Sequence, residues 1–468
     1  MTKLEQEARK LASLDKAREA RSKLTDTDIR NADRFIEQHG ISYRWTPERG
    51  WLAWDGKRWK PDQSGSIIKA AKQTARSVFD EIAQAGDKQA ETDLFRWARK
   101  SQQVDRIRAM IELAKPDLYA SWLDFDADPH LLTVDNGTVN LQTGDLIPHD
   151  PELLCSRMAS VEHGTGDCPI WHRFLERIQP DPQVRKYLQR AVGYSLTGDT
   201  GEQCLFFAHG TGRNGKSVFL ETIGALLGEF AVASSMTAFE LKKGAIPNDI
   251  ARLAGARLVT VSETADGQRI NEPLIKDLTG GDTITARFLR REFFEFRPEF
   301  KLWIRGNHKP QIRGTDEGIW RRIHLIPFDE RITDAEVDPH LSDKLATELP
   351  GILRWAIDGC IEWQRIGLQP PEVVLSATSE YRREMDSLAD FLEARTRQGG
   401  EVQATPLYQS YKQWSEANGY RALNQTNFGL RLAERGIQKD KQGVVKYIGI
   451  ELKSACTHCD GEGCRWCQ

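Results

Sequence analysis

The chain has no long apolar run, no surplus of charge of one sign, no repeat of solenoid period and, outside its last 13 residues, few cysteines. Each absence excludes something. No uncharged apolar stretch approaches the ~18 residues that a bilayer crossing needs, and the opening MTKLEQEARKLASLDKAREARSKLTDTD has no apolar signal core. A cytoplasmic protein with no membrane partner is therefore expected. Lys and Arg number 65 against 68 Asp and Glu, a formal net charge of -3. That balance removes the argument for a uniformly basic nucleic-acid coat, while leaving room for a local basic face. Cys155, Cys168, Cys204 and Cys360 are scattered, which fits reduced structural thiols and not a disulfide framework.

What is present is more specific. The 468 residues exceed what one hydrophobic core serves, so roughly two to four domains are expected. Asp55-Gly56 between aromatic runs signals a hairpin, residues 66–113 carry helical periodicity, and residues 126–150 read as short strands punctuated by Asn136-Gly137 and Gly144-Asp145. From residue 203 to 328 short apolar runs alternate with helical stretches: QCLFFAH, ARLVTVSE, FKLWIRGN and RRIHLIPF. That alternation predicts an α/β domain with a largely parallel central sheet.

The most informative stretch is GTGRNGKS, residues 210–217, between an apolar strand and an amphipathic helix. It fits G-x-x-x-x-G-K-[ST] in full and in the right context. Gly210, Gly212 and Gly215 let the backbone curl, so that Thr211, Arg213 and Asn214 can turn their N–H groups toward phosphate oxygens. The following helix adds its positive end. Lys216 can reach the β and γ phosphates of ATP, and Ser217 can ligate Mg²⁺. The run RLVTVSET ends in Glu263, 46 residues after Ser217, a carboxylate placed to hold the metal and activate water. FKLWIRGNHKP ends in Asn307, which can bond the γ-phosphate or the attacking water, and GIWRRIHLIPF carries Arg321 and Arg322, either of which can act as a finger.

This ordered set resembles superfamily 3 helicases, AAA+-like ring ATPases, and is most similar to the helicase half of phage and plasmid primase–helicases, which share their pattern with the poxvirus replicative helicase–primase. The residues that carry it are GTGRNGKS, LVTVSE, LTGGDTITARFLRREFFEF, LWIRGNHKP and GIWRRIHLIPF, with DADPHLLTVDNGTVNLQTGDL before them and FGLRLAERG after. The resemblance implies a P-loop AAA+-like ATPase core, an α+β domain before it and a winged helix after it. It also implies a homo-oligomeric ring, a hexamer, moving 3′→5′ on single-stranded or forked DNA in a bacterial host cell. Lys216, Ser217, Glu263 and Asn307 would come from one protomer and the finger from its neighbour, Arg322 being the first candidate because it follows Asn307 by 15 residues. The expected divisions are a helical tail at 1–31, the α+β domain at 32–185, the ATPase at 186–345, a helical connector at 346–395, the winged helix at 396–452 and a cysteine tail at 453–468.

Within 278–296, TGGDTITARFL reads as a strand opened by glycines and EFFEF as its return, with Arg287 on the strand and Arg290 and Arg291 at the tip. Cations at such a tip suit a phosphate backbone; a solvated turn is the plainer reading. Phe293 and Phe294 could stack on bases or pack. In the C-terminal unit Arg431, Arg435, Lys439, Lys441 and Lys446 are candidate phosphate contacts of a DNA-binding winged helix, or decorate a protein-contact module. Cys456, Cys459, Cys464 and Cys467 form C-x2-C-x4-C-x2-C, a set for tetrahedral Zn²⁺, with a redox tail as the alternative. The chain departs from the family where Ser262 precedes Glu263 in place of a second acid, and no primase polymerase segment is recognisable, so a separate primase or polymerase is expected as partner. The competing expectation is an ATP-regulated origin-binding initiator or loader without processive unwinding.

Overall fold

The computed structural model describes residues 27–164, 166–240, 248–262, 268–288, 292–312, 314, 316–418, 422–441 and 443–453. The N-terminal part opens with α1 (Asp28–His39), β1 (Tyr43–Thr46), β2 (Gly50–Trp54), β3 (Trp59–Pro61), α2 (Ser66–Ser77), α3 (Lys88–Ser101) and α4 (Val104–Ala114). Thr27 caps α1 by accepting from Arg30 N–H at 3.1 Å, and Phe35, Ala71, Met110 and Ala114 bring α1, α2 and α4 into one core. A second antiparallel sheet follows, β4 (Leu131–Val134), β5 (Gly137–Asn140) and β6 (Asp145–Ile147), with its turns where the Asn-Gly and Gly-Asp pairs stand.

Two helices, α5 (Pro169–Ile178) and α6 (Pro182–Leu196), lead into the central sheet. Its strands are β7 (Leu205–His209), β8 (Ala231–Ser235), β9 (Leu258–Ser262), β12 (Lys301–Gly306) and β13 (Ile323–Pro327). They lie in the order β13-β7-β12-β9-β8 and every neighbouring pair is parallel. The chain is therefore mixed α/β around a five-stranded parallel sheet. The central strands are apolar between their ends, with His209, Lys301 and Arg305 at or next to the ends of LFFAH and KLWIRG, as strands covered on both faces require. α7 (Lys216–Leu227) covers one face, with Phe206 stacked on Trp303 at 4.3 Å and Phe219 stacked on Trp171 of α5 at 5.6 Å.

Between β8 and β13 lie α8 (Asn248–Ala251), α9 (Glu272–Gly280), the hairpin β10 (Ile284–Arg287) and β11 (Phe293–Phe296), and α10 (Glu317–Trp320). The glycines of LTGGD do not open a strand, as the sequence suggested. They end α9, whose start is capped by Asn271 accepting from Leu274 N–H at 3.3 Å, and Gly281 takes the terminating left-handed position at φ +80°. Ile275 and Leu278 are buried at helical spacing, and the strand that the threonines signal starts beyond the glycines, at Ile284, with its expected return at Phe293–Phe296.

Downstream, α11 (Leu341–Thr347), α12 (Leu349–Ile366), α13 (Glu372–Glu384) and α14 (Ser387–Arg395) are helical as expected. α12 lies against α6 at a contact only glycine allows: a Cβ on Gly193 would stand 2.1 Å from Cys360 N, and one on Gly359 2.1 Å from Gln189 O. The last unit contains β14 (Thr396–Gln403), α15 (Ala404–Ala417), α16 (Gln425–Glu434), β15 (Gln438–Asp440) and β16 (Lys446–Leu452), with sheet order β14-β16-β15. Phe428 and Leu432 share the buried face of α16, and Phe428 stacks on Tyr411 at 4.7 Å. No helix among the described residues is long and apolar enough to cross a membrane.

Candidate functional site

After His209 the chain turns through residues 210–215 into α7. Gly212 and Gly215 take φ of +100° and +80°, and Arg213 joins them in the left-handed region at +50°. Gly215 has a second constraint. A Cβ there would stand 2.5 Å from Ile178 Cγ2 and 3.2 Å from Phe174 Cε2, so α5 forms a floor beneath the turn. Two bonds fasten the turn to the segment after β13. The buried Asn214 donates from Nδ2 to Phe328 O at 2.6 Å, and Ile332 N–H donates to Arg213 O at 2.7 Å.

Lys216 is only 5% exposed, and its ammonium folds back under the turn. Nζ donates to Gly210 O at 2.8 Å, Asn214 Oδ1 at 2.9 Å and Asn307 Oδ1 at 3.3 Å. All three acceptors are neutral amide oxygens. Burial, aided by the nearby Arg305, pulls the Lys216 pKa down to about 8, against the pull of Asp329. A buried cation so weakly compensated, at the start of a 12-residue helix, can take an anion in exchange for its carbonyl contacts. Thr211 and Ser217 are exposed beside it, and the Ser217 hydroxyl could join a metal bound to that anion.

Three strand ends converge there because β7, β12 and β9 are parallel neighbours. Asn307 follows β12 and sends its Nδ2 to within 4.0 Å of where a Gly212 Cβ would be. Ser262 ends β9 in register with Arg305 of β12. Glu263, the next residue, lies outside the described residues, as do Arg290, Arg291, Cys456, Cys459, Cys464 and Cys467. The structure thus brings together the turn, Lys216, Ser217 and Asn307. Arg305 was missed, although it shares a strand face with Asn307 two residues on; it pairs with Glu221 at 2.9 Å. His209 was missed too, its pKa lowered by burial and then by Lys309 and Lys216.

Arg321 and Arg322 stand elsewhere. They precede β13, where Leu205 N–H at the start of β7 donates to Arg322 O at 2.7 Å. The turn follows the other end of β7, about 13 Å away along a five-residue strand. Arg322 is 8% exposed and donates from Nε to Thr279 Oγ1 at 3.1 Å and from Nη1 to Gly318 O. Arg321 is exposed and donates to Gln203 Oε1 at 2.8 Å. On the β10–β11 hairpin, Arg287 is exposed with its guanidinium 4.8 Å from the Phe293 ring. Phe293 is 58% exposed, whereas Phe294 stacks on Phe288 at 5.5 Å.

In the C-terminal unit two of the five candidate cations are held in ion pairs, and Lys439 Nζ lies 5.9 Å from the Tyr447 ring. Arg435 donates to both carboxylate oxygens of Asp386, and Lys446 pairs with Glu401. Lys439 and Lys441 are exposed and Arg431 is half-buried.

Three family models match separate segments of the chain. Residues 32–180 match the family described as D5 N terminal like, residues 208–322 a family of unknown function (DUF5906), and residues 383–442 the family described as Poxvirus D5 protein-like. The chain is related to the D5-like primase–helicases. A "Putative helicase" of Acanthamoeba polyphaga mimivirus is 29% identical over 326 residues, covering 63% of this chain and 34% of that protein. A "Putative helicase" of Frog virus 3 is 29% identical over 269 residues, 52% of this chain and 28% of that one. A "Putative primase" of African swine fever virus is 23% identical over 215 residues, 42% and 22% respectively. This D5-like chain therefore spans about a third, or less, of the length of these curated relatives. Among solved structures, the apo NrS-1 C terminal region aligns with 92% of this chain and 100% of its own, at 10% identity and a TM-score of 0.48.

Proposed function

We propose that this D5-like chain is the ATP-driven motor of a replicative DNA helicase of a phage, prophage or plasmid. The observation that carries the reading is the buried Lys216 ammonium, held by neutral oxygens from the glycine turn and from Asn307 on the adjacent strand. Strand, turn, helix and neighbouring polar strand end are what a P-loop needs. ATP with Mg²⁺ supplies the phosphoanhydride whose hydrolysis drives the motor. Within the chain, Gly210, Thr211, Gly212, Arg213, Asn214 and Gly215 would orient the phosphates with their backbone, and Lys216 would compensate their charge. Ser217 and Glu263 would hold the metal, and Asn307 would position the water or the γ-phosphate.

Arg321 or Arg322 could not reach the turn of its own copy from the far end of the sheet, so a finger role requires a neighbouring subunit, which supports a ring, with a hexamer as the family expectation. Arg321, exposed and held by one amide oxygen, is the freer of the two. The β10–β11 hairpin, with Arg287 and Phe293 on it and with Arg290 and Arg291 between its strands in the sequence, would grip single-stranded DNA. The α16 to β16 unit would serve as a winged helix using Arg431 and Lys441, and the four tail cysteines would hold Zn²⁺. A separate primase or polymerase would extend what the motor opens.

The test is ATP hydrolysis and fork unwinding measured together. Single-stranded DNA should stimulate hydrolysis, Lys216→Ala should abolish both activities, and Arg290→Ala/Arg291→Ala should lose unwinding while keeping basal hydrolysis. A wild-type chain that hydrolyses ATP yet never separates strands would instead be an initiator or loader.

A further inference from the structure

The helix that floors the glycine turn has a second face with its own chemistry. α5 begins at Cys168, its N-cap, and His172 N–H donates to Cys168 O at 3.0 Å, so the two side chains sit one turn apart. Asp167 precedes them. The Cys168 thiol, the His172 ring and the Asp167 carboxylate each offer a donor atom, and the three lie within 4.8 Å of one another. They open on a cavity of about 550 Å³ between α5, α6 and α12, lined further by Glu176, Arg185, Lys186, Arg354 and Asp358.

We propose that Asp167, Cys168 and His172 form a transition-metal site, with zinc as the metal its donors suit best. A thiolate, an imidazole and a carboxylate are the mixed soft and borderline set that selects zinc over magnesium or calcium. Around one tetrahedral zinc such donors stand about 3.5 Å apart. His172 and Asp167 are exposed and can rotate to close the remaining gap, Asp167 at the cost of its bond from Cys168 N–H, while Cys168 is buried. At the α5 N-terminus Glu348 accepts from Ile170 and Trp171 N–H at 3.0 and 2.9 Å, while Asp167 Oδ1 accepts from Cys168 N–H at 2.8 Å, so the first turn keeps two of its three bonds if Asp167 turns to a metal. Coordination replaces the thiol proton, which leaves to solvent, and the fourth position faces the cavity. None of its three donors belongs to the C-x2-C-x4-C-x2-C motif. Phe174 and Ile178, on the same helix, lie beneath Gly215, so metal at its first turn would steady the floor of the turn.

The test uses the full chain with Cys456, Cys459, Cys464 and Cys467 replaced by serine, so that tail metal cannot be counted. After equilibration with zinc and dialysis, about one zinc per chain is expected. Cys168→Ser and His172→Ala should each weaken zinc retention against a competing chelator by about tenfold or more. Cobalt loaded into the same chain should show a thiolate charge-transfer band that Cys168→Ser removes. His172 is exposed, so His172→Ala should melt like its parent without metal and keeps the test valid if the buried Cys168→Ser fails to fold. A tail-substituted chain that retains no zinc, or retention indifferent to His172→Ala, overturns the proposal.

Discussion

The ammonium of Lys216 makes nucleotide affinity a titration experiment. In the free protein burial pulls its pKa down to about 8, so the group loses its proton as pH rises through that value. A bound triphosphate favours the charged form, so binding above about pH 8 must take up a proton, and affinity must fall there. The weakening factor is 1 + 10^(pH − pKa). It is close to unity near pH 7 and about eleven near pH 9, a loss of roughly 1.4 kcal/mol. Titration of a fluorescent ATP analogue at fixed ionic strength should therefore show Kd rising about tenfold over that interval. Calorimetry in buffers of different ionisation enthalpy should show nearly one proton absorbed per site at the alkaline end and almost none near neutrality. Lys216→Met should bind more weakly by about 1.5–3 kcal/mol, the value of a charge-assisted hydrogen bond, with the Lys-dependent alkaline weakening gone. A wild-type affinity that stays flat to about pH 9.5 would mean that the ammonium keeps its proton in the free protein, and the reasoning from burial would fail.

Other perturbations probe the surroundings. Gly215→Ala should cost about 2–5 kcal/mol in urea unfolding, about 1–2 from the positive φ and about 1–3 from the contact with Ile178; combining it with Ile178→Ala should recover only the second part. His324 is half-buried, with Nδ1 hydrogen-bonded to Tyr187 Oη at 2.6 Å, and desolvation pulls its pKa down to about 4. Its neutral ring contributes stability above about pH 6.5 that is lost as pH falls toward 4, up to roughly 3 kcal/mol; urea midpoints of His324→Phe should show that acid limb flattened, with a lower plateau at neutral pH from the stranded Tyr187 hydroxyl. Arg435→Ala should lower stability by about 1 kcal/mol by breaking the half-exposed pair with Asp386 and leave DNA binding unchanged, whereas Lys441→Ala should weaken it in filter binding at low salt.

The parts of this molecule that were legible in its sequence are those where local chemistry and tertiary context agree. LFFAH and KLWIRG are apolar between their ends because their strands are covered on both faces, and the helix that follows the glycine turn must start where the glycines stop, at Lys216. β8 was not legible: AVASS is short and half polar, and it becomes a strand only because β9 offers it an edge. LTGGD was misread because a glycine pair can open a strand or close a helix, and only the burial of Ile275 and Leu278 decides. Charges were the least legible. Arg435 looks as free as Lys441 in a basic stretch, but its partner Asp386 is 49 residues away in the chain, and no spacing rule reaches that far. Cys168 and His172 show the converse: their i, i+4 spacing is visible in CPIWH, but nothing in the string says that a cavity lies beside them.

The two arginines before β13 show how a parallel sheet separates what the sequence keeps close. Asn307 and Arg321 are 14 residues apart, yet β12 delivers Asn307 to one edge of the sheet while Arg321 and Arg322 wait at the opposite edge to start β13. A parallel crossover always does this, since the chain must return the length of a strand before it pairs again. If hydrolysis requires one of these arginines, a single copy cannot complete its own site, and a second copy must set its β13 edge against the glycine turn of the first. Arg321→Ala and Arg322→Ala then part company. Arg322→Ala strips buried donors from Thr279 and Gly318 and should lower stability by about 1–3 kcal/mol. Arg321→Ala should leave the monomer's melting unchanged, yet a chain carrying it, mixed with a Lys216→Ala chain, should regain hydrolysis at those interfaces where the intact turn meets the intact Arg321. No recovery in the mixture, with both single variants folded and inactive, would mean that the arginine does not act across subunits.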